Sequence, residues 1–384
     1  MKRTYRGLAV AAFAFLAVAT SAPAQIRVGV TLSTTGAAAS LGIPARNAVT
    51  LLPRSIAGQA VEYIVLDDAS DPVATVKNVR RFLTEDKVDV VVGSSTTPNS
   101  LAMIDVVAAA ETPMISLASS VRIVEPMDAK RQWVFKVVHN DTLQMTTMVS
   151  HMAANGVSKV GLVSVNDAYG EGVISEFQKV APARRLGVVA HERYARTDTT
   201  VLAQVLKVMA AQPDAVLVAA AGTPAALPAK GLRERGYKGK IYFTDGAVNE
   251  DFLRIGGSDV EGGFLPSGLF VVAKQLPDSN PSKAVALDFI RRHDAAFPPG
   301  TANHFSGHTW TVGLLLQKAV PLALAKGKPG SAEFRRGLRD GLEQTRELVT
   351  AQGVMNMSQA DHVGYDQRAS TMVTVERGTW KLGR

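Results

Sequence analysis

Between residues 26 and 244, short apolar runs alternate with helix-patterned stretches, and no other feature constrains the fold of this chain so strongly. The runs 26–32, 61–66, 88–93 and 113–117 read as strands, with helices over 45–56, 72–85 and 98–110 between them. These strands are apolar on both faces, so each face needs a cover. A parallel sheet with helices on either side supplies it. A second series follows, with strands over 159–164, 188–194, 215–219 and 240–244 and helices over 142–155, 171–186, 199–212 and 225–235. Two such blocks predict an α/β protein of two doubly wound, Rossmann-like lobes with parallel sheets. The last third departs from the pattern. Helices over 282–296, 307–325 and 331–345 lead to an alternating strand over 371–376 and a turn at Arg377-Gly378 before Trp380. A helical insertion closed by a hairpin predicts that the chain returns to complete the lobes.

The first 24 residues read as an export signal. Lys2, Arg3 and Arg6 precede an apolar run over 8–19, and small residues end in Ala22-Pro23-Ala24. The run is too short to span a bilayer, and no cysteine stands at the junction for lipid attachment. The expectation is a soluble periplasmic protein beginning at Gln25. The 384 residues contain no cysteine, which excludes thiolate metal sites and thiol nucleophiles. A formal net charge of +8 is scattered over pairs such as Arg80-Arg81 and Arg291-Arg292. Nucleic acid needs a concentrated basic patch, so it is not an expected partner.

Ligands of parallel α/β sheets bind beyond the carboxyl ends of the strands, and three ends here are unusual. Strand 88–93 runs into Ser94-Ser95-Thr96-Thr97 before Pro98. Hydroxyls and unpaired N–H groups at a helix start suit a carboxylate, and Thr96 or Thr97 suits plain N-capping equally well. Strand 113–117 runs into Ala118-Ser119-Ser120, the same chemistry one strand later. Strand 159–164 leads to Tyr169 in a glycine-flanked turn, where a tyrosine either closes over a ligand or packs its own loop. A nucleophile elbow G-x-S-x-G, a P-loop and a G-x-G-x-x-G turn are all missing, so neither catalysis nor a cofactor is expected. His304 and His308 are spaced like helical metal ligands, but His-Phe-Ser-Gly-His lacks the glutamate of a zinc protease, and no metal site is expected. Asp67, Asp68 and Asp71 cluster as a cation site would, although Asp71 reads more simply as the cap of a helix starting at Pro72.

Taken in order, IRVGVTLSTTGAAASLG, LDDASDP, VVVGSSTTPNS, PMISLASS, NDAYGEG and DHVGYDQRASTMVTVERGTWKL resemble the substrate-binding proteins of branched-chain amino-acid-type ABC transporters, the leucine-binding class of type I periplasmic binding proteins. The resemblance covers nearly all of the chain after the signal. It implies two lobes joined by three crossover segments, near 138–141, 270–274 and 348–353. One lobe would hold residues 25–140 and 274–350, the other 141–273 and 351–384. It also implies a monomer that captures a small ligand between the lobes and delivers it to an inner-membrane permease. By the family pattern Ser94, Ser95, Thr96, Ala118 and Ser120, with Ser119 beside them, hold a ligand carboxylate. Tyr169 falls on the second-lobe tyrosine, and Asp245 near the acidic residue that grips an α-ammonium group. A second aromatic of the family is replaced around Gly222. That predicts a cleft wide enough for a ring, as in the branch of the family that takes up aromatic acids, whereas Asp245 points to an amino acid. Two alternatives stand beside transport: a ligand sensor of the same fold feeding a signalling partner, and a secreted hydrolase.

Overall fold

The structure, a computed structural model, describes residues 25–383. The expected signal peptide, residues 1–24, lies outside the described residues. The chain opens with β1 (Ile26–Leu32), α1 (Ala39–Val49), β2 (Ser55–Ile56), β3 (Gln59–Asp67), α2 (Pro72–Thr84), β4 (Val90–Val92), α3 (Thr97–Ala109), β5 (Met114–Ser116) and β6 (Val134–Lys136). They form a six-stranded sheet in the order β2-β3-β1-β4-β5-β6, parallel except for the edge hairpin of β2 with β3. β1 sits inside the sheet because all its residues but Arg27 are buried. Gly29 is required there: a Cβ at that position would lie 2.6 Å from the ring of Phe82, which α2 packs onto the sheet. Helix α2 starts as its sequence dictates, with Pro72 in the first turn and the Asp71 carboxylate accepting the Ala74 N–H at 2.7 Å.

The second series is α4 (Asp141–Ala154), β7 (Lys159–Val165), α5 (Ala168–Val180), β8 (Gly187–Tyr194), α6 (Leu202–Ala210), β9 (Ala215–Ala219), α7 (Ala226–Glu234), β10 (Lys240–Phe243), α8 (Glu250–Gly256) and β11 (Phe264–Ser267). Its sheet runs β15 (Thr379–Leu382), β14 (Thr371–Glu376), β11, β10, β9, β7 and β8. The last two strands, β14 and β15, return antiparallel, and both Arg377 and Gly378 take the positive φ that a tight hairpin turn needs.

Between them lie α9 (Pro281–Ala296), α10 (His304–Leu324), α11 (Ala332–Glu343) and the small hairpin of β12 (Leu348–Thr350) with β13 (Gly353–Met355). Val312, Leu315 and Leu316 of α10 and Phe334, Leu338 and Leu342 of α11 complete the first hydrophobic core. The chain thus passes between the two α/β units three times. The first passage is residues 137–140, between β6 and α4. The second is the 3-10 segment Leu269–Gln275, whose Val272 packs on the second core while Phe270 and Ala273 pack against Phe289 and Ala286 of α9. The third falls later than the expected 348–353, because those residues form the β12–β13 hairpin and Met355, Met357, Val363, Tyr365 and Ala369 all remain in the first core. The chain leaves it at Ser370, whose hydroxyl bonds Thr147 of α4 at 2.9 Å. Among the described residues no helix is long and apolar enough to cross a membrane.

Candidate functional site: the cleft between the two units

The carboxyl ends of both sheets face a common cleft, nearly filled in this closed form. On the first wall the chain leaves β4 and enters α3 through Ser95, Thr96 and Thr97, all of which line the cleft. Thr96 is the N-cap of α3, yet its side chain makes no capping bond. The Thr97 hydroxyl is buried without any partner. Ser95 Oγ accepts the Ser33 N–H at 3.3 Å, which leaves its proton free to be donated. The first turn of a 13-residue helix adds backbone N–H groups that point the same way. This wall offers donors, and an anion is what it can hold. Ala118 and Ser119, after β5, line it too, but the Ala118 N–H is already committed to Ser116 Oγ at 3.1 Å.

The opposite wall belongs to the second unit. Asp167 caps α5 by accepting the N–H groups of Tyr169 and Gly170, and it holds Arg196 through a 2.5 Å contact with Nε. Arg196 in turn stands 5.7 Å from the centre of the Tyr169 ring and donates to the Ala221 carbonyl. Tyr169 is buried, and burial followed by the charge of Asp245 pushes its phenol well above the usual value, so it stays protonated. Its hydroxyl lies 2.7 Å from Thr244 Oγ1 and 3.5 Å from Asp245 Oδ1. Apolar side chains of the first unit, Leu41, Leu117 and Phe305, and Val138 of the first passage close the rest of the cleft.

Behind this wall is a set of buried ionisable groups. Lys136 is fully buried at the end of β6, with its ammonium on the carbonyls of Ser119 and of Ser120. Burial lowers its pKa to about 8, against the opposing pull of Asp141 and Asp245. His304 Nε2 lies 3.8 Å from Asp245 Oδ2 and 2.9 Å from His308 Nε2. His308 Nδ1 meets the Val137 carbonyl at 2.9 Å, and a carbonyl only accepts, so that nitrogen carries the proton. Burial, reinforced by the neighbouring histidines, keeps His308 neutral. Its Nε2 is therefore an acceptor, and the proton shared with His304 sits on His304. Hydrogen bonds take up both nitrogens of His308 and Nε2 of His304, while His304 Nδ1 is buried without a partner, and the described residues contain no cluster suited to a metal ion.

The expected site residues divide accordingly. Ser95, Thr96, Ala118, Ser119, Tyr169 and Asp245 converge on the cleft. Ser94 does not line it. Its hydroxyl donates to Asp68 at 2.6 Å, and Asp68 also receives Ser33 at 2.7 Å and Thr31 at 3.3 Å. That buried carboxylate organises the loops behind the first wall instead of binding a cation. Ser120 is also outside the lining. Its hydroxyl is buried without a partner against Gly172 of α5, where a Cβ would stand 3.2 Å away. Gly222 is the third correction. It does not widen the cleft: Leu41 Cδ1 and Ser40 Oγ of the first unit lie 2.7 and 2.8 Å from where its Cβ would be, and its φ of +72° suits only glycine. The space is filled by the partner unit. Thr97, Arg196, Thr244, His304 and Phe305 were not singled out as ligand-site residues. For Thr97 the signal was present in the hydroxyl run, and for Arg196 and Phe305 no local pattern announces them.

Contacts at Gly222 and Gly172, together with Leu41 seated in the second core, show the two units closed on each other. Two α/β units that shut on a cleft with free donors define a bilobed solute-binding protein. The chain belongs to the periplasmic binding protein family, whose model matches residues 25–379. It is similar in structure to an extracellular ligand-binding receptor from Rhodopseudomonas palustris HaA2, at 42% identity and a TM-score of 0.91, covering 94% of this chain and 100% of that one. In sequence it is 25% identical to a Leu/Ile/Val-binding protein of Rhizobium johnstonii, over 91% of this chain and 92% of the relative. A solute-binding protein of an R. palustris ABC transporter, solved with benzoate, shares the fold at 18% identity and a TM-score of 0.79, covering 93% of this chain and 95% of that one.

Proposed function

We propose that this protein captures a small carboxylic acid with an apolar body in the periplasm and presents the closed complex to the permease of an ABC transporter, without chemically altering the ligand. The observation that carries the reading is the buried, unpartnered hydroxyl of Thr97 at the start of α3, flanked by Thr96 and Ser95. A buried polar group without a partner is costly, and a ligand carboxylate at the helix N-terminus relieves it. Leu41, Leu117, Val138 and Phe305 supply an apolar surround for the rest of the ligand. The relatives support transport: proteins of this family include Leu/Ile/Val-binding proteins, and the same fold holds benzoate in another transporter's binding protein. A branched aliphatic acid and a single-ring acid both carry an apolar body that this lining can surround.

Calorimetry with matched acids and their neutral amides tests this. A hydrogen bond to a charged partner contributes about 1.5–3 kcal/mol, so Thr97→Val is expected to weaken binding of the acid roughly tenfold or more. The amide should bind poorly to both proteins. Equal affinity for acid and amide would overturn the carboxylate reading.

Closure is the second expectation. Small-angle scattering should show a smaller radius of gyration in the presence of saturating ligand than in its absence, as hinged units shut. A profile that ligand leaves unchanged, in a protein whose empty form scatters as an open one, would count against capture by closure.

A further inference from the structure

We infer that Lys136, which is not part of the cleft lining, is the counter-charge for a bound carboxylate: it acts through the loop of Ser119 and Ser120 that it holds, and capture of an anion fixes a proton on it. The inference rests on the carboxylate reading above and deepens it.

Among the described residues Lys136 is the only buried lysine or arginine. A buried ammonium needs a counter-charge. Its hydrogen-bond partners are two neutral carbonyls, those of Ser119 and Ser120, and no carboxylate is in ion-pair contact with it. Asp141, at the start of α4, is the strongest of the more distant charges, followed by Asp245, Glu125 and Asp361. One Asp141 oxygen accepts the Val121 N–H at 2.8 Å, and the other has no partner. His139 and His308 also feel the ammonium, and burial keeps both of them neutral.

The two carbonyls belong to the loop after β5, and Ser119 itself lines the cleft. A trans peptide points its N–H away from its carbonyl. With the ammonium on the Ser119 oxygen, the Ser120 N–H is turned away from Lys136 and is polarised by it, which extends the positive potential beyond the lysine itself. The cleft needs that charge. It is already lined by the buried carboxylate of Asp245, and a ligand carboxylate adds a second negative charge. The cation in the lining, Arg196, has its Nε 2.5 Å from Asp167 and is already paired. Lys136 is the charge left over, and where water is excluded charges act on each other without contact.

A proton is linked to this arrangement. Burial lowers the lysine to a pKa of about 8, so without ligand the ammonium gives up its proton as pH rises through that value. A carboxylate brought into the cleft favours the charged form and raises the pKa. Binding then takes up a proton at pH ~8 and above. Affinity for an anion is complete below that range and falls as pH rises through it.

The test uses the full exported protein with benzoate, 3-phenylpropanoate and 4-methylpentanoate, none of which carries a group that titrates above pH ~7, and with their amides as neutral controls. Calorimetry on the wild type at pH ~8.5, in two buffers of different ionisation heat, should show uptake of roughly half a proton per acid bound. Affinity for the acid should fall about tenfold between pH ~7 and pH ~9.5. Lys136→Met nearly keeps the volume, and both carbonyls keep another donor, the Asp141 N–H at 3.3 Å on Ser119 and the Ile123 N–H at 3.2 Å on Ser120. This variant should bind the acid about tenfold more weakly at pH ~7, with no proton uptake and no fall toward high pH. Lys136→Arg, whose charge does not titrate in this range, should retain its affinity at pH ~9.5. A lysine that only braced the loop would move no proton on binding. Acid binding without proton uptake by the wild type overturns the inference, whether or not the variants fold, as does a folded methionine variant that holds the acid as tightly as the wild type. If the acids bind no better than their amides, the carboxylate reading itself falls and this inference goes with it. If the acids are preferred and no proton moves, that reading stands and only the role of Lys136 is lost.

Discussion

Gly222→Tyr is expected to abolish tight capture of every ligand, ring-bearing or not. The side chain would enter the space held by Leu41 Cδ1 and Ser40 Oγ, which already stand 2.7 and 2.8 Å from the position of its first carbon. Those atoms belong to the other unit, so the strain falls on the closed form and is relieved on opening. Overpacking of this kind costs about 1–3 kcal/mol, and a ring that cannot be accommodated at all costs more. The expected loss of affinity is about a hundredfold or more. Calorimetry should show it for aliphatic and aromatic acids alike, and scattering should show an open particle at saturating ligand. Selective loss of ring-bearing ligands alone would mean that Gly222 shapes the pocket after all.

A second large effect is expected on stability at acid pH. His139 is fully buried within the first passage between the units, stacked on Tyr365 with ring centres 4.3 Å apart. Burial lowers its pKa to about 3, with His304 and Lys136 adding to the effect and Asp245 opposing it. In the unfolded chain the imidazole takes a proton near pH ~6.5. Below that pH the unfolded state binds the extra proton, so the stability contributed by the neutral form is complete above ~6.5 and is lost as pH falls toward the folded value. Half-buried Glu250 and buried Asp141, raised by burial to about 7 and 6, act in the opposite direction over part of the range. The effect is therefore read as a difference. Relative to wild type, His139→Gln should gain about 3 kcal/mol in urea unfolding between pH 7 and pH 4. A difference between the two proteins that does not change with pH would refute the assignment.

The order of strands and helices was legible because a strand buried on both faces has a distinctive unbroken apolar run, as in β4 and β9. β2, β6, β11 and the β12–β13 hairpin were not: each is two to four residues long and is set off by no flanking pattern of its own. Half of the first wall was legible as a cluster of hydroxyls, but hydroxyls that bind ligand and those that brace a loop look alike in sequence. Ser94 and Ser95 are adjacent, and only the fold turns the first to Asp68 and the second to the cleft. Lys136 carries its signal in the sequence: a lysine inside the apolar run Val134-Phe135-Lys136-Val137-Val138 has to find partners in the interior. At Gly222 the sequence shows only a missing side chain, whereas the fold brings Leu41 into that space from some 180 residues upstream.

The threefold passage of the chain has a consequence for how the molecule is made. The core that begins with Ile26 also contains Val312, Phe334 and Ala369. During synthesis the first sheet therefore exists for most of the chain's length without the helices and hairpin that cover it. Contacts so distant in sequence close late and slowly, and an uncovered apolar sheet is prone to aggregate. The second unit, apart from its last two strands, is one continuous stretch and has what it needs earlier. Assembly of this protein is then not a matter of one half folding after the other in the order they are made: the half that emerges first is the half that has to wait.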